Sequence, residues 1–162
     1  MEAIHRLLFE TSLGRLAITA HAEAITAIQL LPGTTSAVQG PKAAEERCAA
    51  GHAQVEEYLE GRRREFDLIY ELRGSDFQRA VWEEMLRIPY GSTATYGDLA
   101  RAIGQPGASQ AVGMACGANP MPLVVPCHRV VAGGGKIGGF SGGLPKKSWL
   151  LDLESGQGRL FS

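Results

Sequence analysis

Residues 126–130 read Pro126-Cys127-His128-Arg129-Val130. A cysteine followed by a histidine pairs a nucleophile with a base. The thiolate is the attacking form, and an unperturbed thiol has a pKa near ~8.5, so a neighbouring imidazole is a standard way to generate it. Pro126 restricts the backbone approaching the thiol. The pair alone also has a plain reading, because a free cysteine is often a small buried apolar residue. If the segment is extended, consecutive side chains point to opposite faces, so adjacency does not guarantee contact. The other thiols, Cys48 and Cys116, form no C-x-x-C with it, and three cysteines cannot all pair internally. That usage points to a reducing cytoplasm and argues against a structural zinc. The glycines at 133–135, 138–139 and 142–143 match no Walker pattern and supply positive-φ positions around the thiol instead. Neither a metal nor a cofactor is expected.

The elements that must position this thiol are legible from pattern. Ala3–Glu10, Arg15–His21 and Ile25–Leu31 alternate as a three-stranded meander. Pro41 starts a helix that Gly61 stops, with Cys48, His52, Val55 and Leu59 on one core-facing side. Phe66, Leu68, Tyr70 and Leu72 alternate as a further strand, and Arg73-Gly74 is the predicted junction between two domains. Ser75 and Gln78 form a capping box for a helix that buries Phe77, Val81, Met85 and Ile88. Thr95 and Asp98 form a second box, for a short helix ending near Gly104. Gln105-Pro106-Gly107 then turns the chain into a helix over about 108–115. Two short helices around a glycine-containing turn make a helix-turn-helix pattern. Elsewhere that pattern is commonly a packing motif; here it lies just upstream of the thiol.

Composition bounds the rest. The 162 residues suit two small domains, with 44% hydrophobic residues and a mean hydropathy of −0.06. No apolar run approaches the ~20 residues that span a bilayer, and charged residues in the first strand exclude a signal peptide's apolar core. Net charge is −1, but residues 1–74 carry −3 (eight basic, eleven acidic) and residues 75–162 carry +2 (eight basic, six acidic). This mild tilt is compatible with phosphate contacts without implying them.

Further motifs stand in order around the thiol: Thr95-Tyr96-Gly97-Asp98-Leu99, Ala111-Val112-Gly113, Gly117-Ala118-Asn119-Pro120, Gly139-Phe140-Ser141-Gly142-Gly143-Leu144 and Trp149-Leu150-Leu151-Asp152-Leu153-Glu154. With them the chain resembles the O6-alkylguanine-DNA alkyltransferases, the suicide DNA-repair proteins, from about residue 75 to 155. The resemblance implies an α/β (α+β) fold: a ribonuclease-H-like sheet-and-helix domain over 1–73, then a winged helix-turn-helix-like alkyltransferase domain over 74–162. It implies irreversible, single-turnover transfer of an alkyl group from O6-alkylguanine in DNA onto Cys127, with O4-alkylthymine left open as a second substrate. The partner is double-stranded DNA, bound through the minor groove with base flipping. The protein is expected to be cytoplasmic, associated with the nucleoid when bound, off the membrane, and monomeric when free.

Residue roles follow from the same resemblance. A water connects Cys127 to His128, and Glu154 orients the histidine. Tyr96 donates its phenol proton toward guanine N3, and Asn119 ties the recognition segment to the cysteine loop. Ser141, Phe140, Ile137, Gly138 and Cys116 form the substrate pocket. Ser109, Gln110, Ala111 and Arg129 contact DNA. Two positions depart from the family pattern. Gln110 stands where an arginine usually fills the space left by the flipped nucleotide, and it offers an amide without charge or guanidinium plane. Phe140 stands where some members carry tyrosine, which removes a hydroxyl. Ala108, Ser109, Ala111, Gly113, Ala115 and Gly117 in and around the second helix are small, and no Lys or Arg lies between 102 and 128, unlike a major-groove reader.

Other classes remain to be weighed. A non-catalytic, alkyltransferase-like damage sensor would lack the reactive cysteine, which Cys127 argues against, while Gln110 leaves room for a weakly catalytic sensor whose sensing exceeds its repair. A Cys-His hydrolase would need an oxyanion hole and would leave the helices at 95–117 without a purpose. A transcription factor is disfavoured by the uncharged second helix.

Overall fold

The computed structural model describes residues 2–140 and 142–156, and its contacts separate at Arg73 and Gly74 into two compact units. In the first, β1 (His5–Thr11), β2 (Gly14–Ala20) and β3 (Ile25–Gln29) form an antiparallel sheet in the order β1-β2-β3. Gly14 enters β2 with φ 93°, a conformation that would strain any residue with a Cβ. The central strand is buried from Leu16 to Ala20. Across it, α1 (Lys42–Leu59) buries Ala44, Cys48, Gly51, Val55 and Tyr58 at helical spacing. A Cβ at Gly51 would stand 3.0 Å from Ile18 Cδ1 and 3.2 Å from Ile25 Cδ1, so the helix backbone sits directly on the sheet.

Cys48 faces this core, its thiol donating to the carbonyls of His5 and Ile18 at 3.5 and 3.4 Å. His52 does not join it. The buried stripe centres on Ala44, Gly51 and Val55, which leaves His52 at the edge, half-exposed and stacked on Phe9 with ring centroids 4.1 Å apart. The alternating segment at 66–72 also differs from expectation. It alternates half-buried and exposed side chains from 66 to 70. Its backbone-to-backbone bonds among the described residues, however, run to Ile25, through Ile25 N–H to Ile69 O (3.0 Å) and Glu71 N–H to Ile25 O (2.9 Å), while Asp67 bonds instead to the Gln54 side chain. One bridge replaces the expected strand, because side-chain alternation requires an extended chain and not a ladder.

In the second unit both capping boxes form. Ser75 Oγ accepts from Gln78 N–H at 3.1 Å at the start of α2 (Asp76–Met85), and Thr95 Oγ1 accepts from Asp98 N–H at 3.0 Å at the start of α3 (Tyr96–Ala102). α2 buries Val81, Trp82 and Met85, whereas Phe77 in its first turn is only half-buried. Trp82 Nε1 donates to Ala115 O at 2.8 Å, joining α2 to α4 (Ser109–Gly117). Gly104, with φ 77°, turns the chain between α3 and α4. Two short strands then pair in parallel: β4 (Ala94–Thr95) with β5 (Val130–Val131). This pairing sets Tyr96, the first residue of α3, beside the segment that follows Cys127. The last described helix, α5 (Leu144–Ser155), ends at Gly156 with φ 67°. No helix among the described residues is long and apolar enough to cross a membrane.

Candidate active site

The approach to the thiol is a buried loop: every residue from Met121 to Val130 is buried. Asn119 holds it at both ends, with Nδ2 donating to Val125 O at 2.8 Å and Oδ1 accepting from Met121 N–H at 2.9 Å. Val125 N–H returns to Met121 O at 2.8 Å. Leu123, inside this tight turn, has φ 78° and is the one non-glycine residue with positive φ among those described. Such a conformation persists only where surrounding bonds enforce it. Cys127–Arg129 is a single 3-10 turn rather than extended chain. At three residues per turn, Cys127 and His128 project in different directions, so their side chains still diverge.

His128 points into the protein. Its Nε2 lies 2.7 Å from Glu154 Oε2, and the two side chains are 0% and 1% exposed. Arg129 grips the same carboxylate, with Nε to Oε1 at 2.7 Å and Nη2 to Oε2 at 2.9 Å. Its Nη1 donates to Ile88 O at 2.7 Å, and its guanidinium lies 5.6 Å from the centre of the Tyr90 ring. Arg129, expected at the DNA surface, is therefore corrected to a buried partner of Glu154. A guanidinium enclosed this deeply must face a carboxylate, because an unpaired buried charge is prohibitively costly. Adjacent in sequence, His128 and Arg129 converge on Glu154 from one turn of chain.

Cys127 itself lines a cavity of about 270 Å³ with Tyr96, Gly113, Cys116, Gly117, Gly139 and Phe140. That volume falls just under the ~300–1,000 Å³ of sites for drug-sized ligands and suits a single heterocycle. Burial holds the Tyr96 phenol above its ordinary pKa, with the neighbouring thiols acting in the same direction against a hydrogen bond from the Gly139 backbone. It remains a proton donor at neutral pH. Gly138, with φ 78°, passes so close that a Cβ there would lie 3.1 Å from the Tyr96 hydroxyl. Ile137 and Gly138 are half-buried in the same loop but do not line the cavity. Ser141, expected opposite O6, lies outside the described residues. Ser109, Gln110 and Ala111 are all exposed in the first turn of α4.

Lys147 was not anticipated. It is fully buried, and Nζ donates to Val130 O at 2.6 Å and Gly139 O at 2.8 Å, tying β5 to the pocket wall. Burial lowers its pKa to about 8, while the nearby thiols Cys127 and Cys116 pull the other way. A sequence signal existed: Lys147, Leu150, Leu151 and Glu154 share one face of α5 at i, i+3, i+4 and i+7.

Burial pushes the Cys127 thiol up to about 11, offset in part by a hydrogen bond from Asn119, the Lys147 charge, and the backbone N–H groups of Cys127 and His128. Burial likewise lowers the His128 pKa against the pull of Glu154. Thiol and imidazole are thus both neutral at rest, and the proton must move when a substrate is present. In the free protein, alkylation of Cys127 by iodoacetamide at pH 7 should run on the order of 10²–10³-fold slower than for an unperturbed thiol and rise steadily with pH through 9.5. A pH-independent rate, or faster labelling of Cys48 or Cys116, which burial pushes up to about 11 and about 12, would refute this. Peptide mapping after timed labelling reads the result.

Among the described residues, one grouping has metal-ligand chemistry: Glu2, His21 and Glu71 in the first unit. It is already satisfied. Arg73 donates to both carboxylates at 2.8 Å, and His21 Nδ1 accepts from Glu23 N–H at 2.9 Å. The imidazole proton therefore sits on Nε2, facing the carboxylates, where a metal would need a lone pair.

Residues 76–156 match the family model of the 6-O-methylguanine DNA methyltransferase DNA-binding domain. The methylated-DNA–protein-cysteine methyltransferase of Mycobacterium tuberculosis is 40% identical over 152 residues, covering 93% of this chain and 92% of that one. Mycobacterium tuberculosis OGT, solved in complex with DNA, superposes with a TM-score of 0.85 at 38% identity over 96% of both chains. An O6-methylguanine DNA methyltransferase from Methanococcus jannaschii superposes at 0.68 with 25% identity, covering 96% of this chain and 97% of that one. With a buried thiol at the pocket and these likenesses along nearly its whole length, the chain belongs to the methylated-DNA–protein-cysteine methyltransferase family.

Proposed function

We propose that this protein repairs alkylated DNA by taking the alkyl group of O6-alkylguanine irreversibly onto Cys127. The observation that carries the reading is the thiol at a base-sized cavity, with a phenol in the cavity wall and a His128–Glu154–Arg129 cluster buried behind the thiol. The thiol proton passes to His128 through a single bridging water; because Glu154 holds Nε2, Nδ1 is the nitrogen that takes it. Sulfur then bonds to the alkyl carbon as the carbon–O6 bond breaks, and the electron pair enters the guanine ring. Tyr96 places its phenol proton on N3, so the leaving group departs neutral. One proton moving from the imidazolium back to the phenolate restores both groups. The thioether has no route back to a thiol, so each molecule acts once.

DNA as the partner is supported by the family model and by the DNA complex of the mycobacterial relative. The guanine must leave the stack to reach a buried thiol, at a cost of a few kcal/mol. The uncharged α4 suits the minor groove, where sequence is poorly read and damage in any context can be met. No second macromolecule is needed for the reaction, and the free protein is read as a monomer.

The test is direct. Incubation with a duplex containing O6-methylguanine should raise the intact mass by one methyl group per molecule, mapped to Cys127. A methyl on Cys48 or Cys116, or no mass gain, would overturn the assignment.

A further inference from the structure

The exposed residues of α4 are Ser109, Gln110, Ala111, Met114 and Gly117, followed by the exposed C-cap Ala118, and Gln110 and Met114 carry the long side chains among them. Met114 is 74% exposed, more than any other large hydrophobic residue among those described. A single exposed apolar side chain is ordinary on a protein surface; the position of this one is not. Gly113 and Gly117, on either side of it, line the cavity that holds Cys127. Gly117 and Gly139 are both exposed and both line it, so the cavity opens between them, one helical turn from Met114. A base entering there from a duplex brings the adjoining base step against Met114.

We propose that Met114 is a positioning residue that inserts its thioether as an apolar wedge beside the extruded nucleotide. Proteins bound in the minor groove insert side chains of this kind, methionine included, between base steps and so unstack them. The alanines and glycines around Met114 let the helix backbone approach closely enough for an unbranched side chain to reach the stack. Methionine is also flexible and polarizable, and so tolerant of whichever bases flank the lesion. Gln110, one turn earlier on the same face, offers its amide to the partner base left behind. The inference rests on the reading that the alkylated base reaches Cys127 by leaving a duplex.

The test compares Met114→Ala and Met114→Leu with the native protein. Each is given O6-methylguanine in a fully paired duplex and in the same strand unpaired. A wedge matters only where a stacked pair must be opened. The duplex-to-single-strand rate ratio should therefore fall about tenfold in Met114→Ala, equivalent to ~1.4 kcal/mol. It should be largely retained in Met114→Leu, which keeps the apolar bulk. Undamaged duplex should also slow peroxide oxidation of Met114 to the sulfoxide. An unchanged ratio in Met114→Ala would overturn the wedge while methyl uptake upheld the transfer reading. Native protein taking methyl from neither substrate would refute the transfer reading and the wedge with it.

Discussion

Cys127→Ser is expected to reduce methyl transfer on the order of 10⁴-fold or more, the scale seen when a catalytic nucleophile is removed. Serine's hydroxyl is a far weaker nucleophile near pH 7, and the buried, neutral surroundings that raise the thiol pKa would suppress an alkoxide further. The substitution replaces one small buried atom, so the loop stitched by Asn119 and the exposed face of α4 should persist. Duplex binding should therefore remain close to native. Intact mass after incubation with methylated duplex reads transfer, and fluorescence anisotropy with the same duplex reads binding. Appreciable transfer by the serine protein would remove Cys127 from its role. Loss of binding together with transfer would mean that the substitution disturbs the fold.

The second large effect is expected at Glu154. Its carboxylate receives His128 Nε2 at 2.7 Å, Arg129 Nε at 2.7 Å and Arg129 Nη2 at 2.9 Å, with Gly91 N–H at 3.4 Å. Glu154→Ala leaves a guanidinium buried without its counter-charge and an imidazole without its orienting acceptor. Breaking a buried pair by removing one partner costs about 3–5 kcal/mol, a large share of a small domain's stability. Glu154→Gln keeps the shape and one acceptor but removes the charge, so it separates folding from chemistry. The glutamine protein should be less destabilised than the alanine protein, yet its transfer should fall about 10²-fold or more. Urea denaturation and single-turnover transfer check both. Native stability in the alanine protein would show that Arg129 finds another partner, and native transfer in the glutamine protein would show that the His128 proton does not depend on Glu154.

Local signals were legible wherever the interaction spans three or four residues. Ser75 with Gln78 and Thr95 with Asp98 close both capping boxes where the pattern places them, because donor and acceptor are neighbours on one helical turn. The meander and α1 follow from periodicity for the same reason. The candidate site was legible as a set of residue types in order: Tyr96, Asn119, Cys127, His128 and Glu154 do gather around the loop and cavity described here.

Long-range pairing was not legible. Nothing at positions 94–95 or 130–131 announces that two-residue strands will pair in parallel, yet that pairing sets Tyr96 near the thiol. Alternation at 66–72 predicts a strand, but a ladder depends on what the neighbouring backbone offers, and among the described residues the backbone partner is Ile25 alone.

By itself, then, the sequence determined the family, the candidate thiol, and the elements held by contacts along the chain. Charge was decided by the tertiary structure. Arg129 is expected at the DNA surface and Lys147 draws no expectation, but folding buries both, one against Glu154 and the other on two carbonyls. The physical reason is that burial of a charge is tolerated only when distant parts of the chain supply its partners. Those partners come from segments 8 to 41 residues away, a separation that no local pattern encodes.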